Sequence, residues 1–148
     1  MTKNSATLFI MKLVDARFAI TSALGRMNAL YQKTVFDEWI LFKLSSDQNV
    51  ILGYEGPRPD SYQQKFKEDI IPLSSELNQR KMAVGDFAFA QAAVGTGFDA
   101  CIRLGPASYL FCNNTTQSMQ DIRKNPLWLS AQKPFADLSG KFQADPLI

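Results

Sequence analysis

The two cysteines of the chain, Cys101 and Cys112, are the residues whose type and spacing most directly suggest chemistry. They lie in neighbouring β-type segments that are separated by a Gly-Pro-containing break at residues 105–108. If that break is a four-residue hairpin loop, Leu104 faces Tyr109, and the register then places the two cysteines opposite each other. Directly opposed residues of antiparallel strands have Cα atoms within ~6 Å, which suits a disulfide. The sequence therefore predicts either a redox pair or two small buried side chains in a reducing compartment.

Charged residues give weaker signals. Asp37 and Glu38 are adjacent, but neighbours in a strand point to opposite faces and cannot share a proton, so we interpret them as a solvated strand start. Asp99 and Arg103 share one face of a predicted strand with small residues, which favours an ion pair within the fold or across a dimer over a ligand site. The loop at residues 53–58 has two glycines and an arginine, matches no phosphate-binding pattern, and is interpreted as a connector.

Composition excludes several classes of function. The chain has no histidine, so the usual general base near neutral pH and the imidazole ligands of most zinc sites are missing. Its 16 basic and 14 acidic residues are mixed along the sequence and give a net charge of only +2, which offers no basis for a nucleic-acid partner. We therefore predict that the chain is not an enzyme and has no catalytic residue, no cofactor and no metal site.

Length and hydropathy predict one cytoplasmic domain over residues 1–148. A chain of this length buries a single core without disulfides or metals. The apolar run at residues 8–11 is too short to cross a membrane, and no small-residue cleavage site follows it, so neither membrane insertion nor secretion is expected. The low cysteine count agrees with a cytoplasmic location.

Periodicity predicts alternating helices and strands. An amphipathic helix is expected first, and near the end a broken helix interrupted by Pro134, with a middle helix that Pro72 kinks or splits. A near-continuous apolar run predicts a central strand that is covered on both faces. The predicted helices are residues 6–32, residues 61–82, a segment that begins at Thr115 or Thr116, and a C-terminal segment from Asn125. The predicted strands are residues 35–44, 50–54 and three segments within 84–114.

Four-residue loops at residues 94–97 and 105–108 would give the last three strands two distinct faces. One face is predicted to be bulky and to form the core, and the other to be small with a few polar groups. The bulky face is predicted to carry Phe87, Phe89, Ile102, Leu104, Tyr109 and Phe111. The small face is predicted to carry Ala88, Ala90, Ala92, Asp99, Cys101, Arg103, Leu110, Cys112 and Asn114.

The order of elements, α-β-β-α-β-β-β-α, resembles that of the Roadblock/dynein light chain domain, a relative of the longin and profilin-like folds. The resemblance covers nearly the whole chain but includes no diagnostic motif, and Pro72 and a longer C-terminal region depart from it. It implies an α/β (α+β) fold with a five-stranded antiparallel sheet, helices on both faces and strand order 2-1-5-4-3. It also implies a non-enzymatic homodimer that acts as a scaffold or regulator, with a Ras-like small GTPase as a partner.

These expectations place the predicted dimer interface at the third strand, a sheet edge open to pairing. The interface residues are predicted to be Phe87 and Phe89 of that strand and Glu76 and Arg80 of the preceding helix. An alternative is a small-ligand sensor of the PAS or longin-like type, with an apolar pocket lined by Phe89, Ile102, Phe111 and Trp128. An enzyme would require Asp86, Asp99 and Arg103 to converge in a cleft.

Overall fold

The computed structural model describes residues 3–44, 49–72, 79, 87–91, 98–114 and 126–144. The described helices are α1 (Lys3–Tyr31), α2 (Tyr62–Lys65), a π-helix (Phe66–Ile70) and α3 (Leu127–Ala144). The described strands are β1 (Glu38–Lys43), β2 (Val50–Glu55), β3 (Phe87–Gln91), β4 (Phe98–Arg103) and β5 (Ser108–Asn114). The chain thus has a mixed α/β fold with helices packed against an antiparallel sheet.

The strands are ordered β2-β1-β5-β4-β3, and every adjacent pair is antiparallel. The first five residues of β1 are buried, as expected for an apolar run covered on both faces. Side chains are described on β1, β2, β5 and, from Ala100 onward, β4. The side chains that define the two faces of the sheet therefore belong to four strands, since β3 is described by its backbone alone.

Helix α1 begins and ends close to the predicted bounds and packs against one face of the sheet together with α3. Its apolar positions recur every three or four residues, which directs one stripe of side chains inward. The helix ends where Gln32 adopts a positive φ of 55°, and the Asn28 side chain then accepts a hydrogen bond of 2.8 Å from the backbone N–H of Val35. The core on this face contains Ala16, Ile20, Ala23, Leu24, Met27, Trp39, Leu41, Ala100, Ile102, Leu110, Cys112, Ala131, Phe135, Leu138 and Phe142.

The opposite face of the sheet is covered by α2 and the π-helix. Phe42 contacts Phe66 edge-on at 5.1 Å between ring centroids and stacks on Tyr109 at 5.7 Å. This second core contains Ile40, Phe42, Phe66, Ile70, Cys101, Tyr109 and Phe111. The sheet therefore separates two apolar layers, each with its own helical cover.

The predicted element order α-β-β-α-β-β-β-α is wrong at its middle helix. Only one α-helical turn, α2, is described there, and it continues as the π-helix, in which the N–H of Ile71 bonds to the carbonyl of Phe66. A proline ring collides with the carbonyl four residues before it in a regular α-helix. The wider turn ahead of Pro72 gives that ring room, and residues 73–78, which follow it, lie outside the described residues.

The predicted break in the C-terminal helix is also wrong. Helix α3 is continuous from Leu127 to Ala144 with Pro134 inside it. Its apolar side chains pack against α1, and this burial outweighs the one backbone hydrogen bond that a proline cannot make.

The predicted assignment of side chains to the two sheet faces is wrong because the register of β4 against β5 differs by one residue from the predicted one. Arg103 pairs with Tyr109, and the N–H of Leu104 donates to the carbonyl of Ser108 at 2.9 Å, so the loop encloses three residues instead of four. A shift of one residue in register moves every side chain of a strand to the other face. Tyr109 and Phe111 consequently share a core with Cys101, whereas Leu110 and Cys112 share the other core with Ile102.

The predicted pairing of Cys101 with Cys112 fails for the same reason. Cys101 pairs with Phe111, and Cys112 pairs with Ala100. Neither thiol is in a disulfide, and the two are buried on opposite faces of the sheet. Burial, and secondarily the neighbouring Cys101, raises the pKa of the Cys112 thiol, so it stays protonated and unreactive.

Moving one cysteine by a single residue tests this register. We expect the double variant Ala100→Cys, Cys101→Ala to form an intrachain disulfide with Cys112 during oxidative refolding, because residues 100 and 112 are directly opposed. The unmodified chain is expected to retain two free thiols per chain under the same conditions. Thiol titration in denaturant measures both; the reverse pattern would contradict the register.

Candidate functional site

A buried carboxylate joins the ends of three strands on the face covered by α2. Glu38, the first residue of β1, is 1% exposed. Its carboxylate accepts hydrogen bonds from the Tyr54 hydroxyl at 2.8 Å, from Arg58 Nε at 3.0 Å and from Asn113 Nδ2 at 3.3 Å. Arg58 Nη2 donates a further hydrogen bond to Glu38 Oε1, so the arginine and the carboxylate form a bidentate ion pair. The side chain at the start of β1 is thus held from β2, β5 and the loop after β2.

This Glu38 cluster has no room for a larger residue at Gly56. A Cβ atom at that position would lie 2.8 Å from both Glu38 Cγ and the Tyr54 hydroxyl. The backbone N–H of Arg58 donates to the same hydroxyl at 2.8 Å, and the Tyr54 ring stacks on Tyr62 at 3.8 Å. The connector at residues 53–58 is therefore shaped around Glu38.

Ionisation states in the cluster follow from these contacts. Burial by itself raises the pKa of Glu38, but the hydrogen bonds from Arg58, Tyr54 and Asn113 outweigh it and hold the pKa below its ordinary value. Burial, and then the hydrogen bond to the Glu38 carboxylate, raises the pKa of Tyr54 to about 12. Glu38 is consequently an anion and Tyr54 a neutral donor at physiological pH.

The sequence did not identify Glu38 as a buried residue, and the interpretation of a solvated strand start is wrong for it. The sequence feature that could have revealed its burial is its position as the first residue of the apolar run of β1. A central strand that is covered on both faces excludes water from its side chains. An arginine in the following Gly/Pro-rich loop was the second clue, since buried carboxylates require a paired cation. In the described part of the chain, one buried side-chain polar atom has no hydrogen-bond partner, Asn113 Oδ1.

A second feature of the structure is an apolar face on α1 that points away from the core. Leu8, Met11, Val14 and Phe18 recur at spacings of three or four, and Ile10 lies at the flank. They are between 48% and 72% exposed, with Phe18 the most exposed. Among the described residues, seven large apolar side chains are exposed, and these are five of them. We call this set the outer face of α1.

A groove of about 230 Å³ runs beside the outer face, between α1 and the sheet. Its walls are Ile10, Leu13, Val14 and Arg17 from α1 and Trp39, Leu41, Leu52 and Gly53 from the strands. The backbone of Gly53 lies close to Trp39 in this wall, since a Cβ atom at residue 53 would lie 3.3 Å from the Trp39 ring. Ile10 and Val14 belong both to the groove and to the outer face, so the two features form one continuous surface.

Polar contacts hold α1 in place above this groove. Arg17 Nη2 donates to the backbone carbonyl of Tyr54 at 3.0 Å, and its Nε lies 3.9 Å from the Glu55 carboxylate. Thr21 Oγ1 lies 3.5 Å from the same carboxylate. The edge strand β2 is thereby tied to α1, and the groove is preformed.

The structure places the residues of the predicted β3 interface as follows. Phe87 and Phe89 lie in β3, an edge strand of the sheet, where the backbone alone is described. Glu76 and Arg80 lie outside the described residues. The predicted interface at this edge stays a prediction.

The predicted sensor pocket does not form as expected, whereas the predicted ionic cluster of Asp86, Asp99 and Arg103 stays a prediction. Ile102 and Phe111 belong to different cores on opposite faces of the sheet, so they cannot line one pocket. Arg103 donates to the carbonyls of Gly105 at 3.1 Å and Pro106 at 2.8 Å and so closes the β4–β5 turn. Asp86 lies outside the described residues, and Asp99 is described by its backbone alone.

No protein-family model matches the sequence, and no curated protein matches it either. Within the described residues, no group of three or more potential ligands is arranged to hold a metal ion. No helix in that part of the chain is both long enough and apolar enough to cross a membrane.

Replacing Glu38 by Gln tests the buried cluster through its pH dependence. The variant loses the charge that Arg58 requires, and we expect it to be less stable than the unmodified chain by about 2 kcal/mol at pH 7. Because the folded pKa of Glu38 lies below its ordinary value of 4.5, this contribution is complete above that value and is lost as pH falls through the folded pKa. Urea unfolding at several pH values should show the difference shrinking below pH 4.5.

The matched control is Glu55→Gln, which removes a carboxylate that is 53% exposed. Exposed pairs contribute at most about 1 kcal/mol, so this variant is expected to differ little from the unmodified chain at any pH. A Glu38→Gln chain that is as stable as the Glu55→Gln chain at pH 7 would contradict the role of the cluster.

Proposed function

We propose that this chain is a non-enzymatic homodimeric domain with a scaffold or regulatory role, and that it pairs through the outer face of α1. The observation that carries the proposal is the concentration of exposed large apolar side chains on residues 8–18 of one helix. Monomeric soluble proteins rarely expose contiguous apolar patches of more than a few hundred Å². Met11, Val14 and Phe18 also follow the three-and-four spacing of a helix that packs on another helix.

The energetics favour a symmetric partner. Covering five half-exposed apolar side chains contributes on the order of 5 kcal/mol, whereas forming a complex costs about 4 to 15 kcal/mol in lost freedom. One patch against a polar surface therefore gives little net affinity. Two copies that cover each other's patches roughly double the gain, and the second copy supplies the apolar surface that this gain requires without any other protein.

The buried polar residues support a structural role over a catalytic one. The Glu38 carboxylate is committed to Arg58, Tyr54 and Asn113, and the Tyr54 hydroxyl to Glu38 and Arg58. A general acid or base needs a substrate within hydrogen-bond reach, and these groups instead bond to one another inside the fold. The resemblance to Roadblock domains points to a Ras-like small GTPase as the kind of protein that such a dimer would regulate.

Light scattering coupled to size-exclusion chromatography tests the proposal. We expect a dimer mass at low micromolar concentration for the unmodified chain, and a shift toward the monomer for Met11→Gln, because a buried amide without a partner disfavours the interface. The control Leu127→Gln changes an apolar residue of α3 that is 38% exposed and is expected to leave the dimer intact. A monomer at every concentration of the unmodified chain would contradict the proposed function.

A further inference from the structure

We infer that Phe18 of one copy fills the groove between α1 and the sheet of a second copy, and that the second copy does the same in return. This inference rests on the proposed homodimer and identifies the contact that forms it. Such an arrangement is an isologous interface, in which one surface carries both the projecting side chain and its receptor.

Phe18 has the properties of an interface anchor. It is the most exposed large apolar side chain described, at 72%. Aromatic side chains bury a large apolar area when they are covered, so leaving this ring in water is costly. Its neighbours along the outer face, Val14 and Met11, are exposed as well, so no described side chain of its own helix face covers it. Aromatic residues that fill a partner's pocket commonly carry most of the binding energy of an interface.

The groove has the size and lining that a single aromatic side chain needs. Its volume of about 230 Å³ is below the ~300 Å³ at which pockets for small organic ligands begin. Its lining is mostly apolar, with Trp39 and Leu41 contributed by the buried strand β1. Arg17, the charged residue of the lining, already donates a hydrogen bond to the Tyr54 carbonyl. The remaining lining is apolar, which suits a hydrocarbon ring.

The positions of the projecting residue and its receptor along α1 determine the orientation of the pair. The helical wall of the groove includes Ile10 and Val14, and Phe18 lies one turn beyond Val14. If two α1 helices pack antiparallel with the two-fold axis near Val14, Phe18 of each copy lies beside Ile10 of the other. A parallel pair would instead place Phe18 beside Phe18 and about 12 Å along the helix from Ile10.

Complementation between two variants tests this arrangement. Phe18→Ala removes the projecting side chain but keeps the groove, and Ile10→Glu obstructs the groove but keeps Phe18. Each variant alone is expected to raise the dissociation constant at least tenfold, the usual scale for losing an anchor residue. An equimolar mixture is expected to form heterodimers more tightly than either variant self-associates, because one of the two reciprocal contacts is restored.

Sedimentation velocity with one variant fluorescently labelled measures the heterodimer, and circular dichroism verifies that both variants are folded. Leu30→Ala changes an exposed residue of the same helix outside the groove and is expected to leave the dissociation constant unchanged. Variants that weaken the dimer without complementing each other, or that leave it unchanged, would overturn the inference while the homodimer itself stands. A monomeric unmodified chain would overturn both the inference and the proposed function.

Discussion

The buried Glu38 carboxylate is the interaction on which the arrangement of β2, β1 and α1 depends. Through its side chain Tyr54 binds Glu38, and through its carbonyl Tyr54 accepts a hydrogen bond from Arg17 of α1. The same tyrosine therefore connects the ionic cluster on one side of the sheet to the helix on the other. Because Glu38 fixes the end of β2 against β1, it also fixes the floor and wall of the groove beneath α1.

Such a cluster specifies structure more than it adds stability. Removing a carboxylate from water costs several kcal/mol, which an ion pair offsets only with good geometry and additional hydrogen bonds. Glu38 meets that condition, because it has a bidentate ion pair with Arg58 and accepts further hydrogen bonds from Tyr54 and Asn113. A shift of β2 along β1 would remove the Tyr54 donor from the buried Glu38 carboxylate, and a shift of β5 would remove the Asn113 donor. The cluster therefore disfavours alternative registers.

The sequence predicted the elements whose signals are local and missed the features that depend on distant residues. The strands β1 and β2 and the inward stripe of α1, with Ile20, Leu24 and Met27, follow from apolar periodicity alone. The faces of β5 were wrong because one residue in the length of the β4–β5 connection reverses them, and loop length is weakly encoded. Pro134 predicted a break that does not occur, because the packing of α3 against α1 outweighs one missing hydrogen bond, whereas Pro72 does follow an irregular, π-helical turn.

The candidate site was missed for two separate reasons. The contact of Glu38 with Arg58 joins residues twenty positions apart, and no pattern in either segment reveals its partner. The outer face of α1 was present in the sequence as Met11, Val14 and Phe18, but the helix was interpreted by its inward stripe alone. A helix that is apolar on two faces predicts two contacts, and the described residues supply only one of them.

The central claim, an antiparallel dimer formed through α1, is tested most directly by a distance across the pair. Ala29 is exposed near the C-terminal end of α1, fifteen residues beyond Val14, so spin labels at Ala29→Cys should lie about 45 Å apart in the antiparallel dimer at 1.5 Å per residue. Double electron–electron resonance measures this distance, and both native cysteines are buried, so the label is expected to react with the introduced cysteine alone. A distance distribution centred near 45 Å is the predicted result; a short distance, as in a parallel pair, or no dipolar signal would contradict the account.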